Sequence, residues 1–210
     1  MKRELTPPSG WQSPGYNRLA PLRSHEANFV QRVLIRLINY FGKLDASNLF
    51  MTLIRNTRLF RSWLGFAAKL MPYGRLDRVD TELVILRVGW NCRARYEWGQ
   101  HVDIGLRAGL TPEQIARIPE GPTSAQWSEK QAALLSACDE LHKQRMVAET
   151  TWETLKRHFS ESEIIELLML IGHYEMLAGV LNSVGLPLDD KLEAILAAAP
   201  IHAPERSEKT

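Results

Sequence analysis

The stretch from Glu82 to Gly109, ELVILRVGWNCRARYEWGQHVDIGLRAG, restricts the fold more than any other part of the chain. From Leu83 to Trp90 nearly every residue is apolar, which predicts a helix buried on most of its sides. Charges in such a setting need partners, and there are two, Glu82 at the helix start and Arg87 inside it. Asn91, Cys92 and Arg93 then break the apolar run as a polar elbow. A second helix carries Tyr96, Glu97, Trp98 and His101, and Gly109 stands where a left-handed residue commonly closes a helix. Glu97 and His101, four positions apart, share one helix face, with Cβ atoms about 5–6 Å from each other. A carboxylate beside an imidazole, with Glu82 entering from the neighbouring helix, supplies the groups of a proton-transfer site.

These residues resemble the carboxymuconolactone decarboxylase / AhpD-like superfamily of all-helical proteins. Its alkylhydroperoxidase members carry a Glu, then a Cys-x-x-Cys pair, then a His. With that His on His101, the family Glu falls on Glu82 and the two cysteines fall on Ala94 and Glu97. The acid and the imidazole match, and the redox pair is missing. The run Tyr96-Glu97-Trp98 followed by His101 is similar to the branch without the cysteines, nearer the decarboxylases. The resemblance extends from about Asp45 to Asp190 and implies an all-α, AhpD-like domain that assembles as a trimer or hexamer. It also implies a cofactor-free enzyme in which His101, Glu97 and Glu82 act on a small carboxylated or lactone-like substrate. Loss of carbon dioxide would leave an enolate-like charge for a protonated group to quench.

Each candidate group also has a plainer reading. Glu82 at a helix start favours the helix dipole whatever its chemistry. Glu97 and His101 could be an exposed pair worth a few tenths of a kcal/mol. Tyr96 and Trp98 beside them argue for a partly buried setting, where small shifts carry a histidine across neutral pH. Tyr96, Trp98 and Arg87 are the candidate substrate contacts. Arg87 either pairs with Glu82 or Asp80, or offers its fork to a substrate carboxylate.

Cys92 is the redox candidate of an alternative reading, an alkylhydroperoxidase-like antioxidant with peroxiredoxin activity. It lies near a helix N-terminus with Arg93 and Arg95 close by, which can activate a thiol, but no second cysteine stands three positions away. Cys138 lies on an apolar helix face and is expected in the core. A third reading is a non-catalytic helical oligomer that binds an apolar ligand. His173 and Tyr174, on a long apolar helix, are placed where they could line the same cavity, although a lone histidine there is more often a hydrogen-bonded core residue. Neither a cofactor nor a metal is expected, because the Glu97–His101 spacing comes with no third ligand.

No stretch alternates with period two, so the fold class expected is all-α. Three capping boxes open helices, Thr111 with Gln114, Ser128 with Gln131, and Ser160 with Glu163. The last of these starts a long apolar helix that Gly185 stops, and Asp189 caps a final helix. A basic amphipathic helix is expected from Ser24, as its N-cap, to Gly42, with Phe29, Val33, Leu37 and Phe41 on one stripe. That stripe is expected to pack on the domain or on another subunit. Further helices are expected from about Ala46 to Arg55 and from Thr57 to Leu70.

At 210 residues the chain suits one domain, 24–200, between an arm without regular structure, 1–23, and a polar tail, 201–210. The arm holds Trp11 and Tyr16, and is either free or laid across the body or a neighbouring subunit. A net charge of +2 is too small to argue for nucleic acid. Two cysteines make no disulfide framework, the N-terminus lacks a signal-peptide core, and no run approaches the ~20 apolar residues of a membrane span. The expectation is a cytoplasmic homo-oligomer with a small-molecule substrate.

Overall fold

In the computed structural model, residues 5–42, 47–199 and 201 are described, and the side chains of 39–42 are left aside. Ten α-helices form the described chain, with no strand among the described residues. In order they are α1 (Phe29–Gly42), α2 (Asn48–Leu53), α3 (Thr57–Leu70), α4 (Arg78–Asn91), α5 (Arg95–Ala108), α6 (Pro112–Arg117), α7 (Glu129–Gln144), α8 (Glu149–His158), α9 (Glu161–Val184) and α10 (Asp190–Ala198). The polar tail beyond 201, the stripe residue Phe41 and the first residues of the helix expected from Ala46 lie outside what is described.

The fold is organised around α4. Every residue from Asp80 to Trp90 is buried, because α5, α7 and α9 pack around it. Leu83, Val84, Ile85 and Leu86 lose all contact with solvent, each burial worth roughly 1.5–3 kcal/mol. Apolar residues on all sides, rather than on one stripe, are what a helix at the centre of a bundle needs.

The local signals act where the sequence puts them. All three capping boxes form in full, both side chains reaching back to the backbone. Gly109 closes α5 at φ 114° and Gly185 closes α9 at φ 69°. Gly185 has a second reason to lack a side chain, since a Cβ there would come within 2.9 Å of Pro14 and still nearer the Tyr16 carbonyl.

Two expectations about helix starts are corrected. The first helix begins at Phe29, not after Ser24. Asn28 accepts from the Gln31 amide and Gln31 accepts from the Asn28 amide, a reciprocal pair that satisfies two otherwise orphan donors. Asp189 makes no side-chain cap for α10. Its carboxylate instead accepts from the Asn48 amide at 2.9 Å and from the Tyr96 hydroxyl at 2.7 Å.

Residues 5–23 of the arm have no regular structure and lie across the body. Trp11 meets Trp90 edge-on at 5.6 Å and Trp98 at 6.0 Å. Backbone bonds from Gln12 to Arg93, from Arg18 to Val184 and from Leu22 to Met51 fix its path. Against expectation, α9 is long and apolar enough to cross a membrane, with 24 residues and a mean hydropathy of 1.7. Half of that window is buried within the bundle, where α9 packs on α4, α7 and α3 as a core helix.

Candidate functional site

Glu82 and His101 meet in the interior, between α4 and α5. The Nδ1 of His101 donates to Glu82 Oε2 at 2.7 Å, and the two residues are 3% and 0% exposed. An ionised carboxylate can only accept, so the proton lies on Nδ1 and the Nε2 lone pair is left for other work. Among the described residues Nε2 has no hydrogen-bond partner. The guanidinium of Arg78, one helical turn before Glu82, lies 2.9 Å from Oε1. That contact supplies charge without hydrogen-bond alignment. Arg78 was not among the residues expected here, although its place four before Glu82 is the signal that would have found it.

Glu97 lies one turn before His101 on α5 and is 2% exposed. Both its carboxyl oxygens are buried without a hydrogen-bond partner. Burial holds its pKa well above the usual carboxylate range. It is therefore no surface partner for His101. Tyr174, on α9, packs edge-on against the imidazole at 5.2 Å. Burial first, then the charges of Glu82 and Glu97, push the Tyr174 phenol well up, so it stays a neutral donor close to both carboxyl groups. His101 thus lies against both Glu82 and Tyr174, with Glu97 one turn away on the same helix, and Tyr174 does line this group as the sequence allowed.

This arrangement predicts a pH-dependent stability. Glu97 has a folded pKa above its unfolded value, so between the two the folded chain binds more protons and stability falls as pH rises. The slope can reach about 1.4 kcal/mol per pH unit. Glu97→Gln keeps the shape and removes the titration. Urea midpoints of the two chains should coincide near pH 4.5 and separate above it, with the variant the more stable. Parallel profiles from pH 5 to 8 would show that Glu97 ionises as freely in the folded chain as in the unfolded one.

The three residues expected to contact substrate are all engaged by the protein itself. Arg87 pairs with neither Glu82 nor Asp80; its Nε and Nη2 donate to the two carboxylate oxygens of Asp139, each at 2.7 Å. Its Nη1 donates to the Ile118 carbonyl at 2.6 Å, and Asn91 completes the shell of Asp139 at 2.8 Å. Against the effect of burial, the Arg87 bonds and charge hold Asp139 below the usual carboxylate range. Gly121, at φ 79°, permits this, because a Cβ there would stand 2.9 Å from the guanidinium. Asp80 pairs instead with Lys130 at 2.7 Å. The Tyr96 hydroxyl donates to Asp189 and accepts from the Leu49 amide at 3.2 Å. Trp98 is packed between Trp90 and Trp11.

Cys92 is half-buried at the end of α4, and burial, reinforced by Glu97 and Glu175, pushes its thiol up to about 12. The activation expected from Arg93 and Arg95 is not realised: Arg93 binds Ser9 and Gln12 of the arm, and Arg95 binds Glu193. Cys138 is fully buried, its thiol against the Val84 carbonyl. His173 stacks on Trp63 and meets Phe66 edge-on, and burial lowers its pKa to about 4, which keeps it a neutral core ring.

Two surface cavities, of about 340 Å³ and 490 Å³, lie beneath the arm. The first is lined by Trp11, Arg95, Tyr96 and Glu193 among others, the second by Leu22, Ile35 and Met51 among others. Glu82, Glu97 and His101 line neither.

Residues 57–140 match the model of the carboxymuconolactone decarboxylase family, a shorter span than the 45–190 of the sequence resemblance, but one that includes Glu82, Glu97 and His101. No curated protein matches by sequence. Among solved structures, the debrominase Bmp8 in complex with 2,3,4-tribromopyrrole has a TM-score of 0.71 at 17% identity, covering 88% of this chain and 98% of the other. An uncharacterised peroxidase-related protein with an alkylhydroperoxidase AhpD core, from Ralstonia eutropha JMP134, has a TM-score of 0.70 at 17% identity, covering 83% and 94%. A protein of unknown function from Agrobacterium tumefaciens has a TM-score of 0.58 at 21% identity, covering 62% and 90%. Glu82 and His101 are thus joined in a segment that matches the carboxymuconolactone decarboxylase family model, within an all-α fold that the chain shares with AhpD-like structures.

Proposed function

We propose that this protein is a cofactor-free enzyme that transfers protons on a small carboxylated or lactone-like substrate, as a carboxymuconolactone decarboxylase-like lyase does. The observation that carries the reading is the buried 2.7 Å bond from His101 to Glu82 beside the unpartnered carboxyl of Glu97. Glu82 orients the imidazole, so that His101 exchanges the proton through Nε2. Glu97, its pKa raised by burial, serves as a second acid, able to donate to the enolate-like oxygen or carbon left by decarboxylation. Because the group is enclosed within the chain, substrate entry requires the surrounding side chains to move, and that closure would also exclude water from the reaction. The fold hosts relatives named for different chemistries, so the reaction is argued from the site and not from the likeness.

The test is a screen of small lactones and β-keto acids for carbon dioxide release or lactone isomerisation, followed by rate profiles from pH 5 to 9. A rate that titrates and is lost in His101→Gln supports the reading. The competing assignment, a thiol peroxidase, rests on Cys92, whose sulfur lies 3.9 Å from His142. Thiol-dependent peroxide consumption that Cys92→Ser abolishes would move the assignment there, but Ala94 and Glu97 occupy the positions of the redox pair and provide no resolving thiol.

The working form proposed is a homo-oligomer. On α9 the exposed Ile165, Met169, Met176 and Val180 recur at helical spacing, and Phe29, Val30, Val33 and Leu37 are exposed on α1. Apolar surface repeated along two helices is more than scattered exposed residues would give. Sedimentation at micromolar concentration should report a multiple of the 23.9 kDa chain, and Met169→Glu with Met176→Glu should shift it toward the monomer. A wild-type chain that sediments as a monomer would refute the oligomer.

A further inference from the structure

Three core helices bring a second cluster together on the far side of Cys92. Cys92 ends α4, His142 stands in the last turn of α7, and Glu175 lies midway along α9. The Sγ of Cys92 is 3.9 Å from His142 Nδ1, which donates to Glu175 Oε1 at 2.8 Å. The three ligand atoms all lie within 4.8 Å of one another, and among the described residues this is the one such group of metal-ligating side chains. The acid–base reading uses none of the three.

We propose that Cys92, His142 and Glu175 bind a zinc-type divalent ion, with three protein ligands and the fourth position open to water. The donor set is the first reason. A thiolate, an imidazole and a carboxylate are the ligands of borderline-soft zinc, whereas magnesium and calcium sites are built from oxygen. Geometry is the second. Tetrahedral zinc at ordinary bond lengths sets the S···N edge at roughly 3.6 Å and the N···O edge at roughly 3.3 Å. The observed 3.9 and 2.8 Å differ from these by a few tenths of an ångström, within the reach of side-chain rotation.

The surroundings hold the ligands in place. Arg145, at the left-handed end of α7, binds the other oxygen of Glu175 and leaves Oε1 turned toward the imidazole. Asn182 on α9 donates to the Cys92 carbonyl at 2.9 Å and fixes the backbone that bears the thiol. All three ligands are partly exposed, so an ion can enter and water can occupy the remaining position. Binding balances simply. The thiol proton leaves to solvent, the imidazole proton moves from Nδ1 to Nε2, and one thiolate and one carboxylate neutralise the dication. Arg145 keeps its place on Glu175 as an outer partner. Because α4, α7 and α9 each supply one ligand, the ion would pin the core helices to one another.

The experiment uses the untagged full chain, stripped with chelator, and the metal alone. Calorimetric titration with zinc chloride should show one ion per chain and a raised melting temperature. Cobalt(II) should give the visible bands of a tetrahedral site and a thiolate-to-cobalt charge-transfer band. Cys92→Ala should remove that band, and Cys92→Ala, His142→Gln and Glu175→Gln should each weaken zinc at least about 10²-fold. Cys138→Ala, outside the cluster, should leave both unchanged. Circular dichroism checks that each variant is folded, and the cobalt spectrum of the wild-type chain tests the site without any variant. The proposal is overturned by the absence of saturable one-to-one binding, by a cobalt spectrum without thiolate character, or by affinity that survives Cys92→Ala.

Discussion

Replacing Arg87 with methionine is expected to destabilise the chain by about 3–5 kcal/mol, the scale on which removing one partner strands a buried charge. The guanidinium is the centre of a shell that satisfies both oxygens of Asp139 and the Ile118 carbonyl. Without it, the Asp139 carboxylate keeps only Asn91, and the carbonyl of the turn before α7 is left without its donor. In a chain of this length the loss corresponds to a melting temperature lower by roughly 10 °C or more. The pH dependence gives the mechanism. Asp139 has a folded pKa below its unfolded value, so its contribution is present above the unfolded pKa and fades as pH falls through the folded one. The penalty of Arg87→Met should therefore be largest near neutral pH and shrink in acid. Pairing it with Asp139→Leu should recover most of the loss, because an apolar pair of similar volume replaces the ion pair. If Arg87→Met were as stable as the parent but without activity, the arginine would be a substrate fork after all.

The second large effect concerns His101. His101→Gln should lower turnover of a true substrate by about 10²-fold or more, the usual contribution of one positioned acid–base group. Gln retains an N–H for the Glu82 carboxylate, so the bond that now spans 2.7 Å has a substitute and stability should change far less than activity. What Gln cannot do is accept and return a proton as an imidazole does. Glu82→Gln should follow the same pattern, because an amide no longer holds the imidazole as the carboxylate does. An unfolded His101→Gln, or one with undiminished turnover, would mark the buried pair as structural.

Several features of this molecule are written locally. Period and composition decide that α4 is a central helix, since a run that is apolar on every side has nowhere to go but the interior. The boxes at Thr111, Ser128 and Ser160 form because each box is complete within four residues. The same signal, Asn28 with Gln31, was available for α1 and outweighs Ser24, which has no residue of that kind three positions on. Glu82 and His101 were legible as a pair because a short elbow returns α5 along α4, and the family pattern names both.

Other features depend on helices that are distant in sequence. Arg87 needs a buried counterion, as any sequence would say, but Asp80 and Glu82 lay nearer along the chain than Asp139, 52 residues away. Only the packing of α4 on α7 makes Asp139 the partner. The activation of Cys92 by neighbouring arginines fails for the same reason, because the arm and α10 take those arginines away. Glu97 is an ordinary carboxylate by sequence, and burial raises its pKa, a difference set entirely by what covers it. The Cys92–His142–Glu175 cluster has no local signature at all. Sequence by itself determined the helices, the capping boxes and glycine stops that bound several of them, and the nearness of Glu82 to His101, because capping and periodicity act within a turn or two of the chain. Tertiary structure decided which charges are partnered, which acid has its pKa raised and which three side chains face one another, because burial and electrostatics depend on neighbours that the chain brings in from far away.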